Sequence, residues 1–187
     1  LVGYPAGGGS DFIARTVSAT LGELLGQQVV VENKPGASGQ IAAQSLLSAS
    51  ADGYTLLGAD NGILVYNSAL YPKLSYKPMT DFTSVGLLVR FPVIIVGGPA
   101  NTFENATQLM EAMKARPGVM TYATGGAASP QSIAMEMLKD KSKGDALAVH
   151  YRGGAPAIQD LLGGQVPLMA LDVATATPLL KAKKIKA

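Results

Sequence analysis

Three consecutive glycines lie in the run Tyr4, Pro5, Ala6, Gly7, Gly8, Gly9, Ser10 and Asp11, between an apolar start and a segment with helical spacing. A loop of this kind turns backbone N–H groups toward whatever lies beyond the strand end, and the positive pole of the following helix favours negative charge there. Ser10 or Asp11 is placed to cap that helix. The chemistry is anion capture, although a plain strand-to-helix turn would use the same residue types. The run lacks the Lys and Ser/Thr of a P-loop and the spacing of G-x-G-x-x-G, which argues against nucleotide phosphate.

A similar stretch recurs at Thr124, Gly125, Gly126, Ala127, Ala128 and Ser129, again after a β-like run and ahead of Pro130, a residue suited to a first helical turn. Ligands of open α/β sheets bind beyond the carboxyl ends of strands, so two such loops from separate lobes would enclose a cleft for a ligand with polar groups at both ends. Tyr151 opens a third loop, Tyr151 to Pro156, which could add backbone donors, a phenol or the Arg152 cation; Arg152 could equally be a surface charge. Asn61 and Asp172 follow other β-like runs, where each is either a cleft residue or a cap.

Catalytic chemistry is poorly represented. His150 is the only histidine and falls in a β-like run, with no second imidazole for a metal pair or a relay. Ser129 and Ser132 have no G-x-S-x-G surroundings, and the loops hold no paired carboxylates. No catalytic residue, metal ligand or cofactor is assigned.

The elements that must hold these loops alternate. Leu1 to Gly3 and Gln28 to Glu32 are β-like around a helix from about Asp11 to Leu25; a second helix spans about Ser38 to Ser48, and Asp52-Gly53 turns into the strand Tyr54 to Leu57. A short helix is expected in Asn61 to Leu70, followed by strands over Phe82 to Val89 and Val93 to Gly97. Beyond Gly97 the spacing predicts helices from about Thr107 to Ala115, Pro130 to Lys139 and Ala155 to Leu162, with strands Met120 to Thr124, Leu147 to Tyr151 and Val166 to Leu171. Pro178 to Ala187 reads as a helix or its exit. Such alternation implies mostly parallel sheets covered by helices, in two α/β lobes, 1–97 and 98–187, joined at Gly97-Gly98-Pro99.

With 187 residues, 48% of them hydrophobic, 22 Gly and 11 Pro, the chain can bury a substantial core and make many tight turns. A net charge of +2, with basic and acidic residues dispersed, gives no field that would attract nucleic acid, and the terminal cluster Lys181, Lys183, Lys184 and Lys186 reads as a solvated helix end. The absence of cysteine removes disulfides and thiolate metal sites. Apolar runs such as Val93 to Val96 fall far short of the roughly 20 residues a membrane helix needs, so no direct membrane insertion is expected.

Five segments resemble one family: YPAGGGSDFIAR (Tyr4 to Arg15), LGQQVVVENKPGASGQIAA (Leu25 to Ala43), ADGYTLLGADNG (Ala51 to Gly62), LYPKLSYKPMTDF (Leu70 to Phe82) and VHYRGGAPAIQDLLGGQVPLM (Val149 to Met169). They are similar to the Bug family of periplasmic solute-binding proteins, the capture components of tripartite tricarboxylate transporters. The resemblance implies a two-lobe Venus flytrap fold that grips a carboxylate through backbone groups and bridging waters, here from Tyr4 to Asp11 and Thr124 to Ser129. It places Asn61, Tyr151 and Asp172 along the cleft. It also implies that the family continues past Ala187 to complete the first lobe, so that this chain is expected to match about the first two-thirds of a member, without its leader and with that lobe incomplete. Where the family often has His, four residues before Glu136, this chain has Ser132.

The expected function is extracytoplasmic capture of a small carboxylate (a di- or tricarboxylate, an aromatic carboxylate or an acidic amino acid) for transient delivery to the membrane components of such a transporter. Two other readings remain open: an α/β enzyme acting on an anionic metabolite, and a ligand sensor without a transport role.

Overall fold

In the computed structural model, which describes residues 1–187, the protein divides into two units, Leu1–Arg90 and Phe91–Ala187. No helix in either is long and apolar enough to cross a membrane.

In the first unit, Leu1 and Val2 lie between two other extended segments. Val2 donates to the Glu32 carbonyl at 2.9 Å and accepts from Lys34 at 2.8 Å, while Gly58 donates to the Leu1 carbonyl at 3.0 Å. Val2 thus makes parallel bridges to Asn33 and to Gly58. The strands expected at Leu1 to Gly3, Gln28 to Glu32 and Tyr54 to Leu57 are reduced to these bridges, because the central segment turns into the glycine loop after Gly3 and offers its neighbours too few residues for a ladder. Phe82 to Val89, also expected as a strand, has no regular structure, and Val85 and Leu87 are exposed. β-propensity does not make a strand where no segment pairs with it.

Helix α1 (Gly9–Leu25) follows the loop; α2 (Gln40–Leu47) is preceded by a 3₁₀ turn at Ala37–Gly39, and α3 (Asn67–Leu70) by a π turn at Gly62–Tyr66. Ala43, Ile63 and Tyr76 form the core, with Leu57, Leu74 and Phe82 packed on it. Tyr76 O–H donates to the Ile63 carbonyl at 2.7 Å and accepts from Asn67 Nδ2 at 2.9 Å, which satisfies the buried phenol on both counts.

The second unit holds a four-stranded sheet in the order β1-β4-β2-β3, from β1 (Val93–Gly97), β2 (Thr121–Thr124), β3 (Leu147–His150) and β4 (Leu168–Asp172). β2 pairs in parallel with both β3 and β4, and only β1 is antiparallel. Period-2 alternation divides the inner strands between two cores. Tyr122, Leu168 and Ala170 face Leu109 and Met113 of α4 (Ala106–Ala115) and Met135 of α5 (Pro130–Ser142); Ala123, Met169 and Leu171 face Ala157 and Leu161 of α6 (Gly154–Leu162) and Ala176 of α7 (Val173–Lys181). A sheet covered on both faces explains why β4 is buried along its whole length.

One boundary differs from expectation. A division after Gly97 would leave Val93 to Gly97 in the first unit, yet these residues pair with β4, and the division falls at Arg90 and Phe91. Gly97 exchanges backbone hydrogen bonds with Lys186 at 2.8 and 2.9 Å, and Gly98 donates to the Pro167 carbonyl at 2.9 Å. Side chains at Gly97 and Gly98 would run into Asn101 and Leu161. These glycines permit close packing rather than a flexible crossover.

The segment Gly36 to Gly39 is the most constrained in the first unit: φ is positive at four successive residues, +130°, +46°, +53° and +82°. A Cβ on Gly39 would lie 2.6 Å from both Ile63 Cγ1 and Ile63 Cδ1. Gly39→Ala is therefore expected to lower the unfolding free energy by about 1–3 kcal/mol through overpacking; an unchanged urea midpoint would show that the Ile63 contact is not fixed.

Candidate functional site

Helix α1 begins without a side-chain cap: its N-cap is Gly8, at φ −89° and ψ 172°, rather than the expected Ser10 or Asp11. Phe12 N–H closes the first turn on the Gly8 carbonyl at 3.0 Å, and Gly7 N–H is taken by Asp11 Oδ2 at 3.0 Å. The N–H groups of Gly8, Gly9 and Ser10 have no acceptor within the protein, which leaves donors at the positive end of a 17-residue helix.

Asp11, 4% exposed, is turned inward beneath this loop. Its Oδ2 also accepts from Arg15 Nε at 2.9 Å, and its Oδ1 accepts from Asn33 Nδ2 at 2.9 Å. The same Asn33 nitrogen donates to the Tyr4 carbonyl at 2.9 Å, and Arg15 Nη2 donates to Asn33 Oδ1 at 3.1 Å. The Arg15 hydrogen bond leads the effects that hold the Asp11 carboxyl at about 2, well below the ordinary range, against the opposing effect of burial. Asp11 thus positions the loop from below. Tyr4 O–H donates to Asp60 Oδ2 at 2.7 Å, and its phenol is pushed far up, first by burial and then by that carboxylate. Pro5 is half-buried and Ala6 exposed; Asn61 is exposed beside Asp60, at the N-terminus of the π turn.

Parallel pairing in the second unit brings the carboxyl ends of β2, β3 and β4 to one side of the sheet. Thr124, the last residue of β2, is fully buried; its Oγ1 lies 3.0 Å from Ser129 Oγ and donates to the Gly126 carbonyl at 3.2 Å. Ser129 caps α5 by accepting from Ser132 N–H at 3.1 Å, with Pro130 in the first turn as expected. Gly125 has no room for a side chain, since a Cβ there would lie 3.1 Å from Gly153 C and Gly154 N, and this packs the second and third loops together. Gly126, at φ +135°, turns the chain so that Ala127 is exposed.

Tyr151 N–H donates to the Thr124 carbonyl at 2.8 Å, which ties β3 to β2 at this edge. Its hydroxyl donates to Asp160 Oδ2 at 2.7 Å, and this hydrogen bond above all pushes the phenol up to about 12. Asp172 caps α7, accepting from Thr175 N–H at 2.8 Å and Thr175 Oγ1 at 2.9 Å. Both side chains are thus engaged within the unit. Arg152 and His150 are exposed, His150 at the end of an edge strand.

Within each unit the expected residues gather at one end: Tyr4 to Asp11 joins Asn61 through Asp60 in the first, and Thr124 to Ser129 joins Tyr151 in the second. Sequence reading missed Arg15, Asn33, Asp60 and Asp160. The four-residue spacing of Asp11 and Arg15 on a helix was a usable signal. Asn33 and Asp60 follow β-like runs, the position that drew attention to Asn61 and Asp172.

Glycine loops at the carboxyl ends of parallel strands are an arrangement of the periplasmic binding protein class. The solved structures this chain is similar to are of that class. It matches BugD, a periplasmic binding protein, at a TM-score of 0.91 and 33% identity, covering 100% of this chain and 62% of that one. MatC from Rhodopseudomonas palustris with bound malate matches at 0.93 and 32% identity, covering 100% and 64%. Another R. palustris protein, with adipate, matches at 0.94 and 32%, covering 99% and 62%. Residues 13–187 match the model of the tripartite tricarboxylate transporter family receptor, and the chain belongs to that family. Among curated relatives, an Agrobacterium vitis protein from the TAR-I ttuE-ttuC′ intergenic region is 36% identical over 187 residues, 100% of this chain and 54% of its own length; BugT of Bordetella pertussis is 34% identical over 167 residues, 89% and 51%. The chain spans about half the length of these relatives.

A carboxyl held at about 2 stabilises the fold above its unfolded value of roughly 4, and that contribution is lost as pH falls from roughly 4 through 2. Asp11→Asn is expected to lower stability at neutral pH and to flatten the loss between pH ~4 and ~2 in acid titrations of the melting temperature. An unaltered acid limb would show that Asp11 does not anchor the loop.

Proposed function

We propose that this chain is the ligand-capturing part of a periplasmic receptor, that it takes up a small carboxylate without turning it over, and that it passes the ligand to the membrane components of a tripartite transporter. The observation that carries this reading is the start of α1, where Gly8, Gly9 and Ser10 present backbone N–H groups with no internal acceptor. Such donors suit a carboxylate oxygen at a helix N-terminus. Malate and adipate in the two R. palustris neighbours are small dicarboxylates, which favours that ligand class over aromatic carboxylates.

Binding without catalysis fits the inward engagement of the site's ionisable side chains. Asp11, Tyr151 and Asp172 are each committed to a partner in their own unit. The donors this leaves at the first loop are backbone N–H groups.

Thermal-shift titration with succinate, malate, adipate and citrate is expected to raise the melting temperature with at least one of them, by mass action worth about 2.7 kcal/mol at a hundredfold excess over Kd. A Cβ at Gly8 meets only the Pro5 carbonyl, at 3.7 Å, so the fold has room for it. Gly8→Ala is therefore expected to weaken binding at least tenfold while the ligand-free melting temperature stays within about 2 °C. No stabilisation by any of these acids, with turnover of one of them instead, would overturn the proposal.

A further inference from the structure

The small sheet of the first unit has an open edge. Glu32 accepts from Val2 N–H at 2.9 Å and Lys34 donates to the Val2 carbonyl at 2.8 Å, so the backbone groups of both turn toward Val2. Alternation along the extended segment then points the N–H and C=O groups of Val29 and Val31 the other way, and neither residue takes part in a backbone bridge. Val30, between them, is 74% exposed. Neither proline nor lysine stands in Gln28 to Glu32 to blunt this edge, and an apolar edge left in that state is a template for another strand.

Beside the edge runs a groove walled on one side by α1, through Arg15, Ala19, Gly22 and Glu23, and on the other by Val29 to Val31. Its two ends carry opposite charge. Arg15 lies beside Asn33, to which its Nη2 donates at 3.1 Å, while Glu23 adjoins Gly22, whose carbonyl accepts from Gln27 N–H at 3.2 Å. Glu23 is exposed and has no salt-bridge partner. Arg15 engages Asp11 and Asn33 through Nε and Nη2, which leaves Nη1 uncommitted.

We infer that this edge is a homodimer interface, in which Val29 to Val31 pairs antiparallel with the same segment of a second copy about a two-fold axis at Val30. In that register Val30 stands opposite Val30, and each Val29 exchanges both backbone hydrogen bonds with Val31 of the other copy, the groups that point outward here. The same axis sets the two α1 helices antiparallel on one face of the joined sheet. The Glu23 end of one groove then meets the Arg15 end of the other, which fixes register by opposite charge. A strand from an unrelated protein would meet the open backbone but not both charged ends, so self-pairing fits the edge better. The inference is independent of the carboxylate-capture reading.

Sedimentation velocity over a concentration series from roughly 5 to 500 µM tests it. The 19.2 kDa monomer is expected to give way to a dimer as concentration rises. Val30→Lys and Val30→Glu, each at an exposed position, should raise the midpoint concentration at least tenfold, because the axis sets like charges opposite one another. An equimolar mixture of these two variants should dimerise again, with Lys facing Glu. Glu23→Arg, on the helix wall of the groove, should weaken the dimer in low salt and less so in high salt. A wild type that stays monomeric throughout would overturn the inference. So would a dimer that both Val30 variants form as readily as the wild type, or a mixture that associates no better than either variant alone.

Discussion

The Asp11 carboxylate is the fixed point of the first unit. Left in solvent at a helix start, it would compete with any incoming anion for the same positive pole. Turned inward, it takes the Gly7 N–H, Arg15 and Asn33, and the guanidinium neutralises it. The loop then keeps its remaining N–H groups free, and its course is set by Gly7 at one end and the Tyr4 carbonyl at the other. Asn33 joins this network to the extended segment beside Val2, so the placement of the loop depends on the parallel bridges of the small sheet.

The second unit reaches a comparable result by other means. Its sheet is covered on both faces, and the loop at Thr124 to Ser129 starts from the buried end of β2 rather than from a single bridge. Thr124 and Ser129 bond to one another across the turn, and Gly125 lets the third loop lie against the second. Here the side-chain hydroxyl caps the helix, so the first-turn donors of α5 are partly consumed. The two loops are therefore not equivalent: the first offers uncapped helix donors, the second a shaped turn with an exposed Ala127.

Much of this was legible in the residues. Alternation of β-like and helical spacing placed six of the seven helices, while α7 begins at Val173, ahead of the expected Pro178 to Ala187, and the glycine runs marked both loops. Pro130 announced the start of α5 because a residue without an N–H costs nothing at a first turn. Periodicity fails where pairing decides the outcome. Gln28 to Glu32 and Phe82 to Val89 have strand composition, but only the former finds a partner, and only at its end. Gly97 and Gly98 looked flexible because composition records freedom, whereas the need for close approach to Asn101 and Leu161 appears only once the chain is folded. The inward turn of Asp11 was equally hidden, since a carboxylate one helical turn before an arginine can face either solvent or a half-buried asparagine.

The central claim is that uncapped backbone N–H groups at the start of α1, held from beneath by Asp11, bind the ligand carboxylate. Backbone amide chemical shifts followed by NMR during a titration with the tightest-binding dicarboxylate test it most directly. The amides of Gly8, Gly9 and Ser10 are expected to move downfield and saturate together with the binding isotherm. Saturable binding that leaves these three amides in place would contradict it.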